Sequence, residues 1–343
     1  MMNRFTTALV TLVGLAGAAS AQTLINGAGA TFPEPMYSKW FSDFKKLHNN
    51  IQINYTANGS GAGITAVTAG TVDFAGSDAI LTDAQLKAFK DKQGFGVLCF
   101  PTVMGAVVLT YNVAGVSGDL KLTPDAVAGI YLGKITKWND PALGKANPGV
   151  TLPGKDIVVV HRSDSSGTSF IFTDYLAKVS ADWRAKVSPT GAAAVQWPTG
   201  LGGSKNEGVA GLVKQQANSI GYVELSFAIQ NKMNYATIQN SAGAFVKPSL
   251  ESVTAAAAAS AKTIPDDFRV SITNPPGKDS YPISSFTWLL IPEQIKDASK
   301  KTALTDFLTW MLKDGQALAA PLTYAPLPKA VVDKEVKAIA KIK

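Results

Sequence analysis

The residues that say most about chemistry sit in three short loops rich in glycine and hydroxyls. Gly27-Ala28-Gly29-Ala30-Thr31-Phe32 precedes one helical stretch, and Asn58-Gly59-Ser60-Gly61-Ala62-Gly63 precedes a second. Ser163-Asp164-Ser165-Ser166-Gly167-Thr168-Ser169 precedes a third, in the middle of the 343-residue chain. Each loop offers a hydroxyl and exposed backbone N–H groups at a helix N-terminus, where the helix dipole favours negative charge. Glycine lets an anion approach the backbone closely. Taken singly, each loop reads as well as a plain helix cap, because Ser, Thr and Gly are the usual cap residues. Three together, with Arg162 beside the third loop and Asp78 after a short strand, favour an anion site built largely from neutral donors.

Other chemistries lack their residues. Gly27-x-Gly29-x-x-Phe32 misses the third glycine of a dinucleotide loop, and no Gly-Lys pair is followed by Ser or Thr, so no phosphate-cradling Walker loop is present. Ser60 and Ser169 lie outside a G-x-S-x-G elbow. His161 adjoins Arg162 and faces the other way in a strand, and His48 sits at a helix end beside Asn49-Asn50, so neither is placed as the base of a nucleophilic serine. No catalytic residue is assigned. With two histidines and one cysteine, a zinc site of His and Cys ligands is not expected, nor is any metal or cofactor. Cys99, inside Val97-Leu98-Cys99-Phe100, reads as a buried strand residue. The net charge of +7 is spread along the chain, which gives no argument for nucleic acid and suits an anionic ligand.

These loops need elements to hold them. An apolar fraction of 46% with 17% charged residues excludes a disordered chain or a coiled coil, and the length suggests two domains. Residues 1–21 combine Arg4, an apolar run and Ala19-Ser20-Ala21, which is the pattern of a cleaved secretory signal peptide; the mature chain would start at Gln22 in the bacterial periplasm. Helical spacing over Tyr37, Trp40, Phe41 and Phe44 is followed by a strand at Ile51, Ile53 and Tyr55. Thr82 through Gln85 form a capping box, and Thr123-Pro124-Asp125 starts another helix. Residues 96–111 are an apolar β-branched run broken by Pro101 and Gly105. Strands near 156–162, 220–224 and 286–291 alternate with helices near 207–216, 249–261, 304–311 and 332–342. Such alternation predicts α/β domains with mainly parallel sheets.

At the loops, and in order along the whole mature chain, the sequence resembles the periplasmic phosphate-binding proteins of high-affinity phosphate ABC transporters. The matching pieces include Gly27–Phe32, Thr71-Val72-Asp73-Phe74-Ala75-Gly76-Ser77-Asp78, Arg162–Phe170, Gly200-Leu201-Gly202-Gly203 and Ile220-Gly221-Tyr222-Val223-Glu224. The resemblance implies a type II periplasmic binding protein fold, with two α/β lobes and a hinge. Lobe I would join 22–98 to 285–343, and lobe II would be 99–284. It also implies inorganic phosphate in the cleft. Thr31, the Phe32 amide and Ser60 would donate, Asp78 would accept, and Arg162 would clamp with Asp164 holding its guanidinium. Ser166, Gly167 and Thr168 would supply donors from the third helix. The implied role is delivery of phosphate, by a monomer before docking, to the inner-membrane permease of the importer. Two alternatives stay open: a secreted phosphatase or esterase using the same loops, and a binding protein for another tetrahedral oxyanion.

Overall fold

The computed structural model describes residues 22–116, 119–260 and 264–343, so the signal-peptide expectation for 1–21 lies outside the described residues. In chain order the first part runs β1 (Thr23–Gly29), α1 (Glu34–Leu47), β2 (Ile51–Ala57), α2 (Ser60–Ala69), β3 (Phe74–Ser77), α3 (Asp83–Gln93) and β4 (Val97–Asn112). Then come β5 (Lys121–Leu122), α4 (Pro124–Tyr131), α5 (Pro141–Ala146), β6 (Val158–Arg162), α6 (Gly167–Val179) and α7 (Ala181–Lys186). The third stretch holds β7 (Leu201–Gly203), α8 (Lys205–Gln215), β8 (Ser219–Glu224), α9 (Leu225–Gln230), β9 (Asn234–Tyr235), β10 (Thr237–Gln239) and β11 (Phe245–Val246). The chain ends with α10 (Leu250–Ser260), β12 (Ser284–Pro292), α11 (Ala298–Leu312) and α12 (Lys329–Ile339).

Local chemistry explains several starts. Thr82 and Gln85 exchange bonds as a capping box on α3, and Thr123 caps α4 with proline in its first turn. Ser166 caps α6 by accepting from the Ser169 amide at 3.1 Å. The apolar face of α1, with Tyr37, Trp40, Phe41 and Phe44 buried, packs on Phe74 and Phe307. A second aromatic cluster joins Tyr131, Phe172, Tyr222 and Trp197 in the other half.

One nine-stranded sheet runs through both halves in the order β2-β1-β3-β12-β4-β8-β6-β7, with β9 on β4. Its outer pairs are parallel, as the alternation predicts, but β3–β12, β12–β4 and β4–β8 are antiparallel. The reason is the route of the chain. It leaves the first half along β4 and returns along β12, so these two strands must run in opposite directions. The 96–111 run is likewise not broken: β4 spans 16 residues. Pro101 is tolerated because the register against β12 shifts there, pairing Thr287 with Val103 and Trp288 with Pro101 and leaving Thr102 as the extra residue. Gly105 is required for space, since a Cβ there would lie 2.6 Å from the ring of Phe32. β4 pairs with β12 as far as Ala106 and with β8 from Val107.

Candidate anion-binding site

The three loops come together, although they lie far apart in the sequence. The Gly61 amide donates to the Ser165 carbonyl at 3.0 Å, joining the second loop to the third. Gly59, at φ 101, passes so close to Asp164 that a Cβ would lie 2.7 Å from its Oδ2. Gly167 lies against Asp78 and Ser60, and a Cβ there would be 2.6 Å from the Asp78 Cβ. Several of these glycines therefore serve close approach of loop to loop, a use beyond the access for an anion expected of them.

Each candidate residue is held by its own element. Arg162 ends β6, only 3% exposed, and its Nε and Nη2 donate to the two oxygens of Asp164 at 2.8 and 2.5 Å. Its Nη1 donates to Thr168 Oγ1 at 3.2 Å. Guanidinium has five N–H groups, so one hydrogen remains on each terminal nitrogen. At the start of α6 the Ser169 amide is taken by Ser166 Oγ and the Phe170 amide by the Ser166 carbonyl. The amides of Gly167 and Thr168 keep no acceptor among the described residues, as the first turn of a helix dictates. Thr31, Ser60, Ser166 and Thr168 are all buried polar residues. Phe32 is fixed by its ring and by its carbonyl, which accepts from the Tyr324 hydroxyl at 2.6 Å.

The electrostatics are divided. Burial alone would raise the Asp164 carboxyl, but the bonds from Arg162 and from the Lys205 amide outweigh it and hold the group below its usual range. Lys205 sits at φ 63, a strained conformation that turns its amide toward Asp164 at 3.0 Å. Asp78 goes the other way: burial pushes its carboxyl up to about 7, against the hydroxyl of Thr287, the charge of Arg162 and the hydroxyl of Ser60. Its Oδ1 accepts from Thr287 at 2.7 Å, and its Oδ2 has no partner among the described residues. An acceptor oxygen thus stands free beside a guanidinium and a helix N-terminus.

Several residues of this region do not stand out in the sequence. Asn206, fully buried in the first turn of α8, donates from Nδ2 to Thr31 Oγ1 at 2.8 Å and to Thr168 Oγ1 at 3.3 Å, while its Oδ1 accepts from the Glu224 amide. It joins the first loop to the third. The signal for it was Gly202-Gly203-Ser204 before a helix, a fourth loop of the same kind. Glu224 is itself fully buried, with Oε2 accepting from the amide and hydroxyl of Ser226 and lying 3.2 Å from the Tyr324 hydroxyl, and burial pushes it up to about 8. Both histidines are occupied elsewhere. His161 stacks on Trp197 and bonds the Arg162 carbonyl, and His48 stacks on Phe44. Cys99 is buried in β4 with its thiol pushed up to about 12 by desolvation. A separate surface cavity of about 280 Å³, lined by Leu86, Phe100, Phe268 and Arg269, holds none of the anion-directed groups.

Comparison with known proteins follows the same line. Residues 16–315 match the family profile described as "PBP superfamily domain". The phosphate-binding protein PstS of Xylella fastidiosa (strain Temecula1) is 46% identical over 315 residues, covering 92% of this chain and 84% of that one. The phosphate-binding protein PstS of Pasteurella multocida is 44% identical over 315 residues, covering 92% and 89%. Among solved structures, a high-affinity periplasmic phosphate-binding protein (PfluDING) bound with phosphate has a TM-score of 0.72 at 25% identity, over 92% of this chain and 93% of that chain. The α/β architecture is thus the type II periplasmic binding protein fold. On the strength of that identity over nearly its whole length, the chain belongs to the PstS family of phosphate-binding proteins.

Proposed function

We propose that this protein binds one inorganic phosphate between two lobes in the periplasm and delivers it to the membrane permease of a phosphate importer. The observation that carries the reading is that Oδ2 of Asp78, beside Arg162, and the amides of Gly167 and Thr168 have no partner among the described residues. A buried dianion needs its hydration replaced by many donors, and the three loops with Arg162 supply them. A carboxylate in such a site repels an anion unless the ligand brings a proton to donate. Phosphate does so at neutral pH and sulfate does not, so Asp78 selects between them. The proposed ligand set is Thr31, Phe32, Ser60, Asp78, Arg162, Ser166, Gly167 and Thr168, with Asp164 and Asn206 as their supports.

The proposed lobes meet along two chain crossings. The change of partner along β4 at Ala106–Val107, and the bond from the Val107 amide to the Ile283 carbonyl, support crossings there rather than at 98/99. Closure about these strands would bring the loops of both lobes onto one ligand. Periplasmic residence is supported by the Ala19-Ser20-Ala21 site, and no helix among the described residues is long and apolar enough to cross a membrane. Binding without turnover is supported by the engaged histidines, which leave Ser60 and Ser169 without a neighbouring imidazole base. Calorimetric titration with phosphate and sulfate, with a chromogenic phosphomonoester as the control for hydrolysis, tests the proposal. One phosphate per chain, sulfate binding that is weaker than phosphate binding and falls away as pH rises above 7, and no hydrolysis are expected. Equal binding of both anions would sink it.

A further inference from the structure

Behind Asp78 runs a line of hydroxyls that phosphate would not touch. Thr287 on β12, fully buried, donates from Oγ1 to Asp78 Oδ1 at 2.7 Å. The Thr287 carbonyl accepts from Thr102 Oγ1 at 3.1 Å, and Thr102 Oγ1 lies 3.1 Å from the Tyr37 hydroxyl. Thr102 is the extra residue of β4 at the register shift, so the irregularity in the sheet is what places this hydroxyl against β12. Asp78 is thereby gripped from one side only. Its Oδ1 is engaged and its Oδ2 has no partner among the described residues.

We propose that Thr287 is a positioning residue that sets the anion selectivity of the site: by engaging Oδ1 it leaves one carboxylate oxygen, Oδ2, to face the ligand as an acceptor. The proposal rests on the phosphate reading above. Its physical basis is the balance of groups around Asp78. Arg162 from β6 is the cation that faces it. Glu224 from β8, Tyr37 from α1, Tyr55 from β2 and Tyr324 from the segment between α11 and α12 also interact with it. These four are mostly neutral near pH 7: burial raises Glu224 to about 8, and the tyrosines, neutral there in any case, are raised above their ordinary value. The charged form of Asp78 is therefore sustained by Arg162, Thr287 and Ser60 against desolvation. Without the Thr287 hydroxyl the carboxyl would take up a proton at a higher pH. A protonated Asp78 donates to a ligand oxygen, which suits an anion without a proton as well as phosphate.

The test compares the full chain with Thr287→Val, which removes the hydroxyl at nearly constant volume, and Thr287→Ser, which keeps it. Competitive titration with phosphate and sulfate is run from pH 5.5 to 8.5 at fixed salt. The valine variant is expected to lose about tenfold or more of the phosphate-over-sulfate ratio at pH 7, the scale of one hydrogen bond to a charged group. Its selectivity should also set in at a higher pH than in the wild type, whereas the serine variant should keep both the ratio and the profile. Should the valine variant not fold, Thr287→Cys, similar in size with a weak donor, is expected to show the same change in lesser degree. A folded valine or cysteine variant with the wild-type ratio and pH profile overturns the proposal, as does a serine variant that behaves like valine. If the wild type itself showed no preference for phosphate, the phosphate reading would fall and this role with it; a selective wild type beside an unchanged valine variant overturns the role alone.

Discussion

Arg162 is the strongest single lever on binding, and its geometry sets the size of the effect. Three of its N–H groups are committed to Asp164 and Thr168, so two remain to meet an anion. Arg162→Ala removes both, removes the positive charge, and leaves Asp164 a partly buried carboxylate without its partner. Truncating one side of a buried charge pair costs about 2–5 kcal/mol, which predicts phosphate binding about 30- to 5,000-fold weaker. Arg162→Lys separates charge from shape. The ammonium keeps the charge but cannot hold Asp164 with a planar fork and reach the ligand together. It should recover part of the loss and remain about 10- to 100-fold weaker than wild type, the scale of one charged hydrogen bond. Titration calorimetry at one pH and salt measures all three chains, with thermal melting of each to confirm folding. If a folded alanine variant binds within threefold of wild type, Arg162 is not the clamp. If lysine equals arginine, the reasoning about fork geometry is wrong even though the charge matters.

Asp78→Asn should admit sulfate, because an amide can donate where the carboxylate only accepts; the same competitive titration applies, and a variant that excludes sulfate as well as wild type does would show that Asp78 is not the selecting acceptor. Gly167→Ala should weaken phosphate about 5- to 150-fold, since a Cβ would lie 2.6 Å from the Asp78 Cβ and overpacking costs about 1–3 kcal/mol. Unaltered affinity in that variant would mean the loops meet differently. Glu224 gives a stability prediction with a definite sign. Its folded value of about 8 lies above the ordinary 4.5, so its favourable contribution is complete below pH 4.5 and is lost as pH rises through 8. Glu224→Gln should therefore gain about 3–5 kcal/mol over wild type at pH 9 relative to pH 4.5, seen as a rising difference in melting temperature. A constant difference across that range refutes the burial argument. Intact-mass analysis of exported protein should give a chain starting at Gln22; residues 1–21 still attached would refute the cleavage reading.

What the sequence revealed of this site was local. Ser166 caps the helix that follows it, Thr82 and Gln85 close a box within four residues, and Arg162 and Asp164 are two positions apart. Each can be read from a short window because the interacting groups lie within it. Asn206 bonds Thr31 across 175 residues and Thr287 bonds Asp78 across 209, and no local pattern marks a lone Asn or Thr for such a partner. Tyr324, which positions Phe32 across 292 residues, is hidden for the same reason. The expectation of mainly parallel strands failed at the centre of the sheet because alternation describes each βα unit and says nothing about the strands that carry the chain between halves. Pro101 misled because a proline breaks a regular ladder, and here the ladder has an irregularity to receive it.

The place of β12 also governs the order of assembly. β3 lies between β1, which precedes it closely, and β12, whose Trp288 pairs with Ser77 near the end of the chain. While the polypeptide is being made, one edge of β3 has no partner until the last sixth of the sequence emerges. An unpaired strand edge is a template for wrong pairing, and long-range contacts form slowly because a large loop must close first. The first half therefore has no complete sheet of its own to fold early, and a nascent chain stays unfinished until its final segment is delivered. A fragment ending before Ser284 would expose that edge permanently and aggregate, however intact its own loops and helices were.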